Sequence, residues 1–334
     1  MIFFKLKLIF ALRQAQCDNC LLKLPFEIDF CLRILIFVKI PNFMLTIDPK
    51  ELSPMKLQGY LQSAIAPRPI AFASTIDKNG KPNLSPFSFF NIFSSNPPIL
   101  VFSPARRVRN NTTKHTLINC EETRQVVINV VNFDIVQQMS LSSTEYPDGV
   151  NEFAKSGLTP IPSEIVKPYR VAESPVQFEC KVNQIIPLGT EGGAGNMIIC
   201  EVVKMHINEA VLDSEGNIDP MKIDLVSRLG GNWYSRANQG LFEVEKPLAT
   251  LGIGVDAIPE FVRESPIFNG NDLGKLGNVE ALPTNEEITI FVKQNFEVKG
   301  VLSADDEVKK HQLAKEYLDK NEVLTAWKVL LAKQ

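Results

Sequence analysis

The sequence between about residues 60 and 240 is a series of short apolar runs separated by turn signals. The first of these runs, residues 70–76, is followed by Asp77-Lys-Asn-Gly80, and Asn-Gly is the strongest short signal for a β-hairpin. Similar runs of Val, Ile and Leu, which are typical of strands, lie at residues 99–102, 125–131, 176–188 and 196–207. These runs do not alternate with helical patterns, so they favour a barrel over a doubly wound sheet.

The segment after the hairpin signal has a different pattern. Residues 81–90 are partly apolar but contain two prolines, which predicts an edge strand or an irregular segment. Helical patterns are few in this half of the chain. We predict helices at residues 112–122 and 134–141, and a short helix at the end of residues 146–157.

The C-terminal part of the sequence changes character. Residues 243–283 are rich in Gly, Pro and Asn and are predicted to be irregular. The chain then becomes helical after Ser303, which we predict to be an N-cap, and Asn321 is the predicted cap of a second helix. This part of the sequence indicates a helical appendage on a β-core.

Composition excludes several classes of protein. The chain has 334 residues and a formal net charge of −3, so it lacks the basic field that holds a polyphosphate backbone, and nucleic-acid binding is not expected. The cysteines after Met44 (Cys120, Cys180 and Cys200) are isolated within strand-like residues. Buried thiols and a reducing, cytoplasmic location are therefore expected.

Residues 1–43 do not match the rest of the chain. Their two apolar bursts, residues 1–12 and 30–40, are too short and too interrupted by charge to span a membrane. Cys17 and Cys20 form a C-x-x-C pair that suits a redox pair or half a zinc site, but no second pair follows. We expect the natural fold to begin at Met44, so deletion of residues 1–43 should leave ligand binding by the rest of the chain intact; the alternative is a membrane-associating anchor.

These patterns predict three segments. Residues 1–43 are an extension outside the fold, residues 44–242 form a mainly β barrel with a few short helices, and residues 243–334 form an irregular and then helical C-terminal extension.

The sequence lacks the motifs of a hydrolytic site but contains cationic and hydroxyl side chains suited to binding an anion. It has three histidines and neither an H-E-x-x-H nor a G-x-S-x-G motif. Hydroxyl and amide side chains instead cluster at the apolar runs, and Arg106, Arg107, Arg109 and Lys114 follow closely. Cations with hydroxyls can neutralise and orient a single phosphate. The alternative interpretation of this stretch is a solvated loop with a capped helix.

The same residues carry a resemblance to a known family. The ordered motifs are Ala66-Pro-Arg-Pro-Ile-Ala-Phe-Ala-Ser-Thr75, Asn83-Leu-Ser-Pro-Phe-Ser-Phe-Phe-Asn91, Phe102-Ser103, Lys114-His-Thr116 and Arg228-Leu-Gly-Gly231. In this order they resemble the flavin reductase-like FMN-binding family, the split-barrel group that includes flavoredoxin-type proteins. His115 stands where the family usually has Asp, which leaves its role open.

The resemblance implies a homodimeric FMN-binding split β-barrel with FMN near the dimer interface. It implies that Ser74 and Thr75 bind the phosphate or ribityl chain, that Ser103, Lys114 and Thr116 complete the phosphate end, and that Arg68 lies nearby. The residues that it places along the isoalloxazine ring are Ser85, Pro86, Phe87 and Ser88, with Asn196 close to the ring. No catalytic side chain and no metal are implied, because the flavin performs the redox chemistry.

The function implied is an FMN-dependent oxidoreductase that passes electrons from NADH or NADPH through FMN to free flavin, a partner protein or another acceptor. The first alternative is an FMN-binding electron carrier or flavin-binding module without its own NAD(P)H turnover. The second is a structural relative that has lost flavin.

Overall fold

The computed structural model describes residues 44–147, 149–244, 251–304 and 306–333. The predictions for residues 1–43, including the Cys17–Cys20 pair, lie outside the described residues. The chain divides into two compact units, the first ending at Gly240 and the second beginning at Leu241.

The first unit is built on one seven-stranded antiparallel sheet with the strand order β2-β1-β5-β8-β9-β4-β3. Its strands are β1 (Ala71–Ile76), β2 (Pro82–Phe87), β3 (Phe90–Ser95), β4 (Pro98–Phe102), β5 (Gln125–Asn129), β8 (Val176–Pro187) and β9 (Asn196–Ile207). Two small two-stranded sheets accompany it, β6 (Pro160–Ile161) with β7 (Arg170–Val171), and β10 (Val226–Arg228) with β11 (Tyr234–Arg236). The end strands β2 and β3 do not pair, so the barrel is not closed by hydrogen bonds among the described residues.

The β1–β2 hairpin confirms the prediction made from Asp77 to Gly80. The Oδ1 atom of Asp77 accepts hydrogen bonds from the backbone N–H groups of Asn79 and Lys81, each at 2.8 Å. Gly80 has a φ of +85°, a conformation that glycine adopts without strain. Strand β2 contains the two prolines and lies at the end of the strand order, so the predicted edge strand is also confirmed.

Strand β1 is buried on both faces, which explains its continuous apolar sequence. One face packs Ala71 and Ala73 in a cluster with Phe102, whereas the other packs Phe72 in a cluster with Met139. Ser74 and Thr75 extend the two faces and are themselves fully buried. A strand that is covered on both sides brings polar side chains into the interior, where they need partners.

The first unit contains more helix than the sequence predicts. Its α-helices are α1 (Pro54–Ala64), α2 (His115–Thr123), α3 (Val136–Leu141), α4 (Glu152–Ser156) and α5 (Pro220–Ile223). The predictions for α2, α3 and α4 are confirmed within a few residues. The sequence pattern gave no prediction of α1, which is eleven residues long and begins at the N-cap Ser53. The helix has no buried residues, so its sequence lacks a core-facing apolar stripe.

The regular secondary structure of the second unit is helical in its described part. It contains α6 (Glu260–Arg263), α7 (Gly270–Gly277), α8 (Asn285–Gln294), α9 (Phe296–Ser303), α10 (Glu307–Asp319) and α11 (Val323–Leu331). Its apolar core includes Leu276, Leu318 and Trp327, each fully buried. The prediction of C-terminal helices is confirmed, and none of the described helices has the length and apolar character needed to cross a membrane.

Three predictions for the second unit are wrong. Residues 243–283 are not irregular throughout, because a capping box between Asn269 and Asp272 starts α7 within them. Ser303 does not cap the following helix, since it is the last residue of α9 and Asp306 caps α10. Asn321 lies one residue before the N-cap of α11, Glu322, and has a φ of +60°.

Candidate functional site

Two depressions in the first unit collect five of the predicted site residues. We call the larger the Arg228 cavity; it has a volume of about 180 Å³ and is lined by Ile70, Pro86, Ser88, Met139, Ser140, Ser143, Arg228 and Tyr234. We call the smaller the Lys114 pocket. It has a volume of about 20 Å³ and is lined by Asn83, Ser85, Arg107, Lys114, His115, Thr116, Ser142, Ser143, Thr144, Glu145, Tyr146 and Glu152. Ser143 lines both, so the two depressions adjoin.

The first turn of α2 opens into the Lys114 pocket. Lys114 is the N-cap residue, and nothing in the described chain gives this helix a side-chain cap. The uncapped N–H groups at a helix N-terminus favour an anion, because they carry partial positive charge. His115 and Thr116, the first two residues of the helix, both line the pocket.

Cations reinforce this field. Arg107 and Lys114 line the pocket, and Arg109 lies beside it through its contact with Glu145. The pKa of Lys114 is lowered, first by partial burial and then by the charge of Arg107, while Glu145 acts in the opposite direction. The cations therefore repel one another, and a bound anion would relieve that repulsion.

Glu145 is the carboxylate that faces these cations. Its Oε1 lies 3.1 Å from Nε of Arg107 and 3.9 Å from Nζ of Lys114, and its Oε2 lies 2.9 Å from a terminal nitrogen of Arg109. Slight burial acts to raise the pKa of Glu145, but the three cations outweigh it and the pKa is lowered. Glu145 is therefore ionised at neutral pH.

A network of buried amides and hydroxyls lies behind the pocket. Nδ2 of Asn83 donates to Oγ1 of Thr116 at 2.9 Å and to Oγ1 of Thr75 at 3.3 Å. Nδ2 of Asn119 donates to the same Thr75 oxygen at 3.0 Å. Thr75 is fully buried and its oxygen already accepts two hydrogen bonds, so it holds strands β1 and β2 against α2.

Two further predicted residues, Ser74 and Ser103, have unpartnered buried hydroxyls. Their Oγ atoms have no hydrogen-bond partner among the described residues. A buried polar group without a partner costs about 1–3 kcal/mol. Such groups are retained where a ligand or a water completes the hydrogen bond.

The glycine-rich loop before β9 fixes the backbone around Ser103 and Arg107. A Cβ atom on Gly195 would lie 2.6 Å from Oγ of Ser103, and one on Gly192 would lie 3.0 Å from the carbonyl oxygen of Val108. Asn196, the first residue of β9, is buried and its Nδ2 donates to the carbonyl oxygen of Pro104 at 3.0 Å. Asn196 and Ser103 line neither depression.

Arg68 and Phe87 are buried and also lie outside both linings. The guanidinium of Arg68 donates to the carbonyl oxygens of Gln62, Ile65 and Leu229 and reaches Oγ of Ser88 at 3.5 Å. Burial, followed by the charge of Arg228, lowers the pKa of Arg68. Phe87 packs against Phe102 with ring centroids 5.6 Å apart. Both residues support the site through the fold around it.

The rim of the Arg228 cavity is formed by an arginine stacked on an aromatic ring. The guanidinium carbon of Arg228 lies 4.6 Å from the ring centroid of Tyr234. The same guanidinium donates to the carbonyl oxygens of Gly231 and Trp233. These contacts join β10 to β11 and hold a cation at the cavity.

Several pocket residues were outside the predicted site. Arg107 belongs to the cationic stretch that the sequence indicated, and Asn83 to the hydroxyl and amide cluster. Ser142, Thr144 and Glu145 were not predicted, although a Ser-Ser-Thr run directly after a predicted helix was a visible signal. His206 lines neither depression and instead lies 2.7 Å from the buried carboxylate of Glu179.

The buried carboxyl of Glu152 also reaches the Lys114 pocket. Its Oε2 accepts a hydrogen bond from the backbone N–H of Leu84 at 3.2 Å. Burial raises the pKa of Glu152, although its own and the Leu84 backbone N–H groups and the charge of His115 act against this.

Comparisons with known proteins place this geometry in context. A family model, described as flavin reductase like domain, matches residues 63–222. An uncharacterized protein from Aquifex aeolicus is 36% identical over 188 residues, which make up 56% of this chain and 93% of the relative.

Two solved structures are also similar. Nitrilotriacetate monooxygenase component B from Bacillus cereus is 31% identical with a TM-score of 0.57, and the match covers 61% of this chain and 100% of that chain. The 2-nitrobenzoate 2-nitroreductase of Pseudomonas fluorescens is 26% identical with a TM-score of 0.56, and the match covers 63% and 100% respectively. Each match spans nearly all of the relative and little more than half of this chain.

Proposed function

We propose, since the chain belongs to the flavin reductase-like family, that it is an FMN-binding oxidoreductase. In this proposal it accepts electrons from NADH or NADPH and passes them through FMN to free flavin or another acceptor.

The observation that carries the proposal is the composition of the Lys114 pocket. An uncapped helix N-terminus, the cations Arg107 and Lys114, and the hydroxyls of Ser85 and Thr116 converge there. A phosphate monoester carries roughly two negative charges and three acceptor oxygens. Each of these features favours such a group, so the residues fit the phosphate end of FMN.

The adjoining Arg228 cavity supports the placement of the rest of the molecule. Its volume of about 180 Å³ is below the roughly 300–1,000 Å³ of complete ligand pockets. The two depressions share Ser143, however, and one elongated ligand with a charged end can reach both. Pro86, Ser88 and the backbone around them would then lie along the ring, as the resemblance implies.

The task of the side chains in this proposal is to bind and orient. When bound, FMN supplies the hydride and electron chemistry itself. Lys114, Arg107 and the first turn of α2 neutralise the phosphate, and Asn83 with Asn119 fixes the position of the helix. Ser74 and Ser103 offer buried hydroxyls that a ligand or a water can complete.

We also propose a homodimer in the cytoplasm. Strand β3 ends the sheet and exposes Ile92 and Phe93, which are 62% and 69% accessible. An exposed edge strand with large apolar side chains is a ready pairing surface. The buried free thiols Cys120, Cys180 and Cys200 suit a reducing compartment.

Anaerobic reduction tests the proposed activity. Purified full-length protein loaded with FMN should lose its blue flavin absorbance on mixing with NADH or NADPH, and an acceptor screen should restore it. Bleaching by dithionite but by neither nicotinamide would contradict the proposal and favour an electron carrier. A preparation that binds no flavin would indicate that the protein is a structural relative of the family that has lost flavin binding.

A further inference from the structure

We propose that Glu145 is an internal competitor for the anion that binds the Lys114 pocket, and that it sets the affinity of this pocket for the phosphate of a flavin nucleotide. The inference rests on the proposed function, because it concerns the site that we assign to that phosphate. Removal of Glu145 should strengthen binding of the phosphate, whereas removal of Lys114 or Arg107 should weaken it.

The geometry of the carboxylate is that of an anion already bound. Its two oxygens engage all three cations, with distances of 3.1 Å to Arg107, 2.9 Å to Arg109 and 3.9 Å to Lys114. A phosphate monoester seeks the same charged donors. Two anions cannot share them without strong repulsion, so one must leave when the other binds.

The free volume of the pocket supports this exchange. With Glu145 in place about 20 Å³ remains, which holds about one water molecule. A phosphate group does not fit in that space. The side chain of Glu145 is 44% exposed, so its carboxylate has solvent to move into when an anion takes its place.

Contacts other than those with Glu145 hold the guanidinium of Arg107 and the backbone of Lys114. A terminal nitrogen of Arg107 donates to Oγ1 of Thr112 at 2.9 Å and to the carbonyl oxygen of Thr113 at 2.6 Å. Lys114 is the N-cap of α2 and its backbone carbonyl accepts from the N–H of Leu117 at 3.0 Å. Removing the carboxylate therefore leaves an anion site that is still assembled.

This arrangement selects ligands by charge. A monoanion gains little, because it only replaces the single charge of Glu145. A phosphate monoester carries close to two negative charges at neutral pH, so it gains the attraction between its second charge and the cations. Glu145 thus keeps singly charged anions out of the pocket, and it lowers the affinity for flavin mononucleotide without affecting that for unphosphorylated flavin.

The test compares Glu145→Gln with Glu164→Gln in the full chain. Glu164 is a matched control, since its side chain is 53% exposed and its Oε2 lies 2.9 Å from Nζ of Lys204. Neither Glu164 nor Lys204 lines either depression. Dissociation constants for FMN and for riboflavin are measured by flavin fluorescence at low salt. Glu145→Gln should bind FMN roughly threefold to tenfold more tightly, the size expected for a few partly exposed ion pairs. Riboflavin affinity should change less than twofold, and the control should match the parent for both ligands.

Salt and a second variant sharpen the result. The gain in FMN affinity should shrink at high ionic strength, because salt screens the competition. Glu145→Ala should act in the same direction as Glu145→Gln. Unchanged or weaker FMN binding in both variants would overturn the competitor role and make Glu145 a group that positions the cations. If the parent protein binds neither flavin, the proposed function itself fails, and the inference fails with it.

Discussion

The two units of the chain differ in how many of their buried polar groups are left without a partner. In the first unit, the buried hydroxyls of Ser74 and Ser103 have no partner among the described residues. Three cations also contact Glu145 near the N-terminus of α2. In the second unit, Trp327 donates to the carbonyl oxygen of Leu276 at 3.0 Å, and the buried carboxylate of Asp272 lies 3.0 Å from Nζ of Lys315. The first unit thus leaves two buried hydroxyls for a ligand or a water, whereas Trp327 and Asp272 are paired within the second unit, in which Nε2 of His311 is a buried atom without a hydrogen-bond partner among the described residues.

This difference separates binding from packing. Both depressions that collect predicted site residues are lined by residues of the first unit. The apolar core of the second unit consists of residues from Ile253 onward. We therefore expect substitutions in the two units to affect different measurements.

The largest expected effect is that of Trp327→Ala on the second unit. Trp327 is fully buried, and truncation of a core tryptophan costs about 3–5 kcal/mol through lost burial and the cavity left behind. Urea unfolding followed by circular dichroism should show early loss of part of the helical signal. FMN affinity should stay close to that of the parent. A parallel loss of FMN binding would contradict the expectation that only the first unit binds the flavin.

A smaller effect is expected for Lys114→Ala in the first unit. It removes a charge-assisted contact of about 1.5–3 kcal/mol, which corresponds to roughly tenfold to a hundredfold weaker FMN binding. Riboflavin, which lacks the phosphate, should bind nearly as before. The measurement is the pair of dissociation constants, with Lys78→Ala as control because Lys78 is 73% exposed and pairs only loosely with Glu122. Equal weakening of both flavins would show that Lys114 does not contact the phosphate.

The smallest expected effect comes from Gly192→Ala. The new methyl group would lie 3.0 Å from the carbonyl oxygen of Val108 and 3.2 Å from that of Arg107, so the backbone that holds Arg107 must shift by a few tenths of an ångström. We expect roughly twofold to fivefold weaker FMN binding, as for other small displacements of a binding group.

Gly59→Ala is the matched control for that substitution. No atom lies within 4 Å of a Cβ atom at Gly59 in helix α1, and alanine is favoured over glycine there. Its FMN affinity should equal that of the parent. Normal FMN binding by Gly192→Ala would show that the glycine-rich loop does not position the cations.

Local sequence signals predicted much of the first unit. The hairpin after β1 follows from Asn79 and Gly80, and strand β9 spans the same residues, 196–207, that its apolar run indicates. Predictions were wrong where a signal was read at the wrong residue, as at Ser303, or where polar residues hid a helix, as at Asn269 and Asp272. In both places several residues could serve as a cap, and tertiary packing selected one.

The sequence by itself determined the family, the antiparallel strands, and the presence of cations and hydroxyls suited to a phosphate. Those features depend on residue type and on spacing between near neighbours. Only the tertiary structure decided that Thr75 lies behind the pocket with its oxygen already bonded, and that Glu145 meets Arg107 across 38 positions of the chain. Such contacts depend on how distant segments of the chain pack, because local propensity does not specify which side chains meet when they are far apart in the sequence.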